Sequence, residues 1–209
     1  MAVITPTITT DDPHVYRDQM ELIASYAEGV HIDFSDGDFA PTKLMHPEEA
    51  WRHDDLVTHT HVMCREPLKI LEDVISLETD LVILHAEAEG LKECFERLAD
   101  NGTRAGIALL PETSVNDLKE LEIDEYIEHV LVFGGNLGYQ GGEADLDQLA
   151  KVAELRDKYD DIEIGWDGGV NNTNIKQIVD AGVDVVNIGG YLKNAEDPKA
   201  AYKILQDLI

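Results

Sequence analysis

Leu81-Val82-Ile83-Leu84-His85, then Leu91-Lys92-Glu93-Cys94-Phe95-Glu96-Arg97-Leu98-Ala99-Asp100-Asn101-Gly102, then Arg104-Ala105-Gly106-Ile107-Ala108-Leu109, read as strand, helix and strand. The first segment is a near-continuous apolar run, as expected of a parallel strand covered on its outer face by helices. The second is amphipathic and ends on Asn101-Gly102, where glycine can take the left-handed conformation that closes a helix. The same alternation extends both ways along the chain. Strands are predicted over residues 3–7, 30–34, 56–62, 81–85, 104–109, 126–133, 162–166 and 185–188. Helices are predicted over 14–27, 47–52, 67–77, 91–101, 114–121, 145–159, 173–181 and 198–209. Ala181-Gly182 repeats the glycine stop, and Asn172 or Thr173 is expected to cap the helix over 173–181. Eight strand–helix units predict a parallel sheet closed into a (β/α)8 TIM barrel, near the lower end of that fold's range of about 200 to 400 residues. An open doubly wound sheet is the alternative, but no Gly-x-Gly-x-x-Gly follows the first strand. No linker, low-complexity tract or charge block interrupts the pattern, so residues 1–209 read as a single α/β barrel domain.

The composition narrows the function. Sixteen Lys and Arg stand against 43 Asp and Glu, for a formal charge of −27. Phosphate backbones and anionic membranes are held by clustered cations, and no such cluster exists here, so neither nucleic acid nor membrane is an expected partner. With 44% hydrophobic residues the acidity does not signal disorder, and it fits generic solubility or a high-salt habitat. The N-terminus has no basic or long apolar leader, and no apolar run approaches the roughly 20 residues of a membrane span. Cys64 and Cys94 are too few for a disulfide framework. A cytoplasmic protein is expected. Its overall field would repel an anionic substrate.

In such a barrel, chemistry sits at the C-terminal ends of the strands. His31 and Asp33 are two apart and share a face; His59 and His61 end the third strand, His85 and Glu87 the fourth, Asp167 the seventh. Two imidazoles and two carboxylates at one mouth suit a divalent metal, zinc, iron, manganese or cobalt rather than calcium or magnesium. Strand spacing does not choose between His59 and His61, and any one of these histidines taken alone is more often a packing residue. Asp36 and Asp38, beside Gly37, read as turn residues accepting backbone amides. Glycines cluster after the late strands: Gly134-Gly135, Gly138 and Gly141-Gly142 after the sixth, Gly168-Gly169 after the seventh, Gly189-Gly190 after the eighth. One pair is usually a turn, but three on successive strands read as a phosphate cradle of backbone amides.

The residues that carry these features, taken together, resemble the ribulose-phosphate 3-epimerase family along essentially the whole chain. The matching stretches are Thr5-Pro6-Thr7-Ile8, His31-x-Asp33-x-x-Asp36-Gly37-x-Phe39-x-Pro41, His61-x-Met63-x-x-Glu66-Pro67, His85-Ala86-Glu87-Ala88, Asn136-x-Gly138, Asp167-Gly168-Gly169-Val170 and Ala195-Glu196-Asp197-Pro198. The resemblance implies one divalent metal per subunit, zinc first among iron, manganese and cobalt, bound by His31, Asp33, His61 and Asp167. That choice takes His61 over His59. It also implies Asp33 and Asp167 as paired acid/base groups, one on each face of the substrate, with the metal stabilising the enediolate left when the proton next to the ketone is removed. The implied reaction is interconversion of D-ribulose 5-phosphate and D-xylulose 5-phosphate in the pentose phosphate pathway. Thr7, Met63, Gly138, Gly141, Gly142, Gly168, Gly169, Gly189 and Gly190 are the implied substrate and phosphate contacts, and a homo-oligomer, dimer or hexamer, is the implied assembly.

The lining departs from the family pattern. Thr7 replaces Ser, Ser35 and Phe133 replace Met, Leu110 replaces Asn, Leu137 replaces Pro and Gly189-Gly190 replaces Gly-Ser, while Met63 is kept. The stretch between Pro41 and His61 is shorter, and the Gly141-Gly142 pair falls one place late. A related ketose-phosphate 3-epimerase, or a non-catalytic barrel that binds metal or sugar phosphate, is the alternative. A Schiff-base aldolase is disfavoured because, of ten lysines, only Lys193 is placed near the mouth. A barrel decarboxylase is disfavoured because no Asp-x-Lys-x-x-Asp motif occurs.

Overall fold

A computed structural model of the chain describes residues 2–137, 139 and 141–209. Strands β1 (Val3–Ile8), β2 (Gly29–Ser35), β3 (Val57–Met63), β4 (Leu81–His85), β5 (Arg104–Leu109), β6 (Ile127–Phe133), β7 (Glu163–Asp167) and β8 (Val185–Ile188) follow one another in sequence order around a closed barrel. Neighbouring strands are parallel, and β1 closes the ring on β8 from Val3 opposite Val185 to Pro6 opposite Ile188. The chain is therefore a (β/α)8 barrel and not an open doubly wound sheet. Each strand ends within one residue of the bounds expected from its apolar run.

Alternation along each strand sorts the side chains into two layers. Outward residues such as Ile32, Phe34, Val62, Leu84, Ile107 and Trp166 are buried beneath the helices in one continuous apolar shell. Inward residues fill the lumen. A small apolar plug of Leu81, Ile83, Ala108 and Leu131 occupies part of it. The rest is polar to an unusual degree, with His31, His59, His61, His85 and His129 all buried. At the N-terminal end His129 Nδ1 lies 2.8 Å from Glu163 Oε1, and Arg104 Nη2 lies 3.3 Å from the same oxygen. Gly165 makes room for this histidine, because a Cβ there would stand 2.4 Å from His129 Nε2. Among the described residues Asp33 is the one acidic side chain that is fully buried, with Asp167 and Glu163 partly buried beside the lumen histidines, so most of the negative charge lies on the outside of the barrel.

The helices are α1 (Pro13–Ala24), α2 (Leu71–Ser76), α3 (Leu91–Asp100), α4 (Leu149–Lys158), α5 (Ile175–Asp180), α6 (Gly190–Lys193) and α7 (Pro198–Gln206). Several differ from expectation. The predicted helix over 47–52 is a single 3-10 turn, Pro47–Glu49, and those over 67–77 and 145–159 open with 3-10 turns, Pro67–Lys69 and Leu146–Gln148, before α2 and α4. The segment over 114–121 is 3-10 throughout from Val115 to Leu121. Its apolar residues Val115, Leu118 and Leu121 repeat every three positions, which suits three residues per turn better than 3.6. The cap before α5 comes from neither Asn172 nor Thr173: Asn171 Oδ1 accepts the Thr173 N–H at 2.8 Å, and Asn174 Oδ1 accepts the Asn171 N–H at 2.8 Å. Helix α6, four residues long, carries no helix signal in the sequence because it begins on Gly190, the second residue of a glycine pair. No helix among the described residues is long and apolar enough to cross a membrane.

Candidate active site

Four side chains meet at the C-terminal mouth. In the β2–β3 register Asp33 stands opposite His61, which groups it with His31 and His61, and Asp167 at the end of β7 meets them across the mouth. One nitrogen or oxygen from each of the four lies within 4.8 Å of all the others. His61 Nδ1 is 3.2 Å from Asp33 Oδ1 and 3.8 Å from Asp167 Oδ2, and His31 Nε2 is 3.4 Å from Asp33 Oδ1. His59 is not part of the group. It points into the lumen one layer lower, with its ring centroid 6.2 Å from that of His129.

The electrostatics of the group are unbalanced. Burial pushes both carboxyls up, but the imidazoles of His31 and His61 more than reverse this at Asp33 and hold it below the usual carboxylate range. Asp167 stays raised, first by burial and then by the charge of Asp33. Among the described residues neither buried ring nitrogen of His31 makes a well-formed hydrogen bond, Nε2 facing only the Asp33 carboxylate at 3.4 Å. Such an orphaned pair is costly in a protein interior. A divalent cation among the four residues would take one of those nitrogens and offset the crowding of two carboxylates. Two imidazoles and two carboxylates are ordinary ligands for zinc and its first-row neighbours. The residues present therefore fit a metal.

Several supporting residues carried no signal in the sequence reading. Thr9 Oγ1 donates to Asp33 Oδ2 at 2.5 Å. It continues the inward parity of Thr5 and Thr7, which was the available clue. Asn187 of β8 is buried, accepts from the Thr5 hydroxyl, and its Nδ2 has no partner among the described residues. His61 Nε2 lies 2.8 Å from His85 Nε2. Phe39 and Phe133 close over this pair, with ring centroids 4.6 and 6.4 Å from that of His85.

Above the four residues opens a cavity of about 560 Å³, a size that takes a small phosphorylated metabolite. Thr7, Met63, Gly141, Gly142, Gly168, Gly169, Gly189 and Gly190 all line it, with Asn171, Tyr191 and Asn194 added from the structure. Among the described residues the buried Thr7 hydroxyl has no hydrogen-bond partner. Gly138 lies outside the described residues. Of the altered lining positions, Phe133 faces the cavity, whereas Leu137 packs with Phe39 on Ala40, Leu44 and Met63, and Ser35 Oγ accepts the Gly37 N–H at 3.3 Å. Asp36 is a turn residue as expected, its Oδ1 accepting the Asp38 and Phe39 amides at 2.8 Å each.

The glycines have a second duty. Gly168, at φ +115°, abuts Gly135 so closely that a Cβ would stand 2.2 Å from the Gly135 nitrogen, and one on Gly169 would stand 2.2 Å from that of Ala144. The loops after β6 and β7 thus meet backbone to backbone. The Gly134 N–H donates to the Asp167 carbonyl at 2.8 Å, and the Gly134 carbonyl accepts from Asp145 N–H at 2.8 Å.

A parallel barrel whose polar side chains converge at its C-terminal mouth, under a cavity edged by glycine loops, is the architecture of a barrel enzyme. The sequence model of the ribulose-phosphate 3 epimerase family matches residues 3–192. The ribulose-phosphate 3-epimerase of Helicobacter pylori strain 26695 is 31% identical over 100% of this chain and 98% of its own. That of Bacillus subtilis is 29% identical over 96% of each. Among solved structures, a 3-hexulose-6-phosphate synthase superposes with a TM-score of 0.72 at 17% identity, covering 99% of both chains. The Streptococcus mutans protein named KGPDC superposes with a TM-score of 0.74 at 12% identity over 100% of this chain and 98% of that one. At such identities these two likenesses show the fold alone. The chain belongs to the ribulose-phosphate 3-epimerase family, and so to the isomerases that epimerise carbohydrates.

Proposed function

We propose that this protein interconverts D-ribulose 5-phosphate and D-xylulose 5-phosphate by moving the C3 proton between Asp33 and Asp167. The observation that carries the reading is the meeting of two carboxylates from β2 and β7 with two imidazoles, all within 4.8 Å, beneath the cavity. Inverting a carbon next to a ketone requires one group to take a proton from one face and another to return one to the opposite face. Asp33 and Asp167 come from strands well separated around the barrel and can address different faces. Which of them removes the proton depends on the direction of reaction.

His31, Asp33, His61 and Asp167 would hold a divalent cation, zinc before iron, manganese or cobalt. Such a cation supplies Lewis acidity at the ketone oxygen, making the neighbouring C–H more acidic. Thr9 orients Asp33 through its hydroxyl. Met63 and Phe133 present apolar surface and exclude water from the reacting carbon. Backbone amides of Gly141, Gly142, Gly168, Gly169, Gly189 and Gly190, with Gly138, would receive the phosphate. This neutral cradle suits a chain whose charge of −27 supplies no arginine cluster at the mouth. Residues 1–209 work as one domain in this reading, and the buried free thiols of Cys64 and Cys94 suit a reducing cytoplasm.

The test is deuterium wash-in from heavy water into D-ribulose 5-phosphate, run on metal-free protein and after adding zinc, iron, manganese or cobalt, with other ketose phosphates in parallel. Metal-dependent exchange at C3 accompanied by D-xylulose 5-phosphate is expected. Protein loaded with each metal that never exchanges this proton would refute the reading, and exchange confined to another ketose phosphate would reassign the substrate.

A further inference from the structure

His61 differs from His31 in having its second ring nitrogen engaged by another side chain. Its Nδ1 faces Asp33 and Asp167, while its Nε2 lies 2.8 Å from His85 Nε2. His85 Nδ1 lies 3.3 Å from Glu87 Oε2. The other oxygen of Glu87 accepts the Leu110 N–H at 3.2 Å and the Thr113 hydroxyl. The Leu110 carbonyl, with that of Pro111, is held by Lys151 Nζ at 2.5 and 2.9 Å. A continuous chain of contacts thus runs from helix α4 through the loop after β5 to the side chains at the mouth.

Counting protons leaves two orders for this chain. Each hydrogen bond holds one proton, a neutral imidazole has one N–H, and a carboxylate only accepts. Carboxylates stand at both ends, Glu87 beyond His85 and Asp33 at 3.2 Å from His61 Nδ1. With both N–H groups directed toward Asp33, His61 Nδ1 would donate there, close the site to a cation, and leave a lone pair of His85 facing Glu87. With both directed toward Glu87, His85 Nδ1 donates to Glu87, His61 Nε2 donates to His85 Nε2, and His61 Nδ1 is a bare lone pair directed at Asp33 and Asp167. In that second order three acceptors, His61 Nδ1, Asp33 Oδ1 and Asp167 Oδ2, converge, at 3.2 and 3.8 Å from the imidazole nitrogen. They repel one another unless a cation lies among them.

We propose that His85 and Glu87 are positioning residues that lock His61 in the tautomer whose Nδ1 lone pair is free, and so set how tightly the four-residue group binds a divalent cation. The proposal rests on the metal reading given above. Burial of His85 and the covering rings of Phe39 and Phe133 keep water from replacing either partner. Outer partners of metal-bound histidines are typically worth about 10- to 100-fold in metal affinity.

The experiment titrates zinc into metal-free protein against a chromophoric chelator, for wild type, His85→Leu, His85→Gln and Glu87→Ala, with cobalt absorption spectra as a second readout. His85→Leu removes the acceptor for His61 and is expected to weaken zinc about 10- to 100-fold. His85→Gln offers an amide oxygen to the same N–H and is expected to recover most of the loss. A packing role alone would lower the melting temperature of metal-free protein without this split in affinity. Zinc affinity of folded His85→Leu equal to wild type, or equal losses in the Leu and Gln variants, would overturn the proposal. Should His85→Leu not fold, the half-buried Glu87 carries the test: Glu87→Ala is expected to bind zinc about tenfold more weakly, and wild-type affinity overturns it. A wild type that binds no zinc or cobalt refutes the metal reading and this inference together. Tight wild-type binding with unaffected variants removes this inference alone.

Discussion

Gly168 and Gly182 have nearly the same unusual backbone, φ +115° and +110°, yet their surroundings differ in a way that separates two costs. A Cβ on Gly182 would meet Arg156 Nε at 3.4 Å and Cγ at 3.5 Å, ordinary contact with a flexible side chain. Gly182→Ala is therefore expected to cost only the strain of an L-residue at that φ, about 1–3 kcal/mol. A Cβ on Gly168 would stand 2.2 Å from the Gly135 nitrogen and 2.4 Å from its Cα, where real contacts stop near 3.0 Å. The Gly135 backbone must retreat by roughly 0.8 Å or more, and no side-chain rotation can relieve it. Forced displacements of this kind cost about 1–3 kcal/mol. Loss of the adjoining hydrogen bond from Gly134 N–H to the Asp167 carbonyl adds about 1 kcal/mol. Gly168→Ala should thus exceed Gly182→Ala by about 2–4 kcal/mol, a further fall in melting temperature of roughly 4–16 °C for a chain of this size. Urea denaturation followed by tryptophan emission measures both variants. Trp166 is a suitable reporter, since its indole N–H donates to the Gly168 carbonyl at 3.0 Å. Equal costs for the two substitutions would refute the backbone-to-backbone seam.

Other expectations concern the chemistry and the lumen. Asp33→Asn and Asp167→Asn should each abolish C3 proton exchange while leaving the circular dichroism spectrum intact; full activity in either one would end the two-carboxylate assignment. The hydrogen bond from His129 holds the Glu163 carboxyl at about 2, against the opposing effect of burial. This depressed value stabilises the fold above the unfolded carboxylate range near 4.5, and the contribution is lost as pH falls from there toward 2. Glu163→Gln should therefore be less stable than wild type at pH 7 and lose less on acidification, as read from urea midpoints at pH 7, 4.5 and 3. Parallel curves for the two proteins would count against the pairing.

The barrel was legible because its strands are short apolar runs bounded by polar residues and glycine, a local signal that needs no tertiary information. Helix type was less legible. Pro47–Glu49 and Val115–Leu121 bury too little apolar surface, or bury it at the wrong period, to propagate an α-helix. At the mouth, parity alone put His31 with Asp33 and His59 with His61. Choosing His61 needs the register of β2 on β3 and the position of β7, which are properties of the closed ring. Thr9 and Asn187 were missed because hydroxyl and amide residues are common in any strand. Their meaning lies in the partners they find across the lumen. The glycine pairs carried two messages that a sequence superimposes, space for a ligand and space for another loop.

Closure of the ring has a consequence for synthesis. One edge of β1 hydrogen-bonds β8, Val185–Ile188, which is made only after the six strands between them, and Tyr202 of α7 then donates its hydroxyl to the Ile4 carbonyl at 3.3 Å. While the chain is being made, β1 emerges from the ribosome with that edge bare and stays so until β8 has followed it. An unpaired apolar strand is a template for pairing with another chain. The nascent barrel must be shielded or kept dilute until its last strand arrives, and a truncation just before Val185 should give a product that aggregates rather than a smaller stable fold.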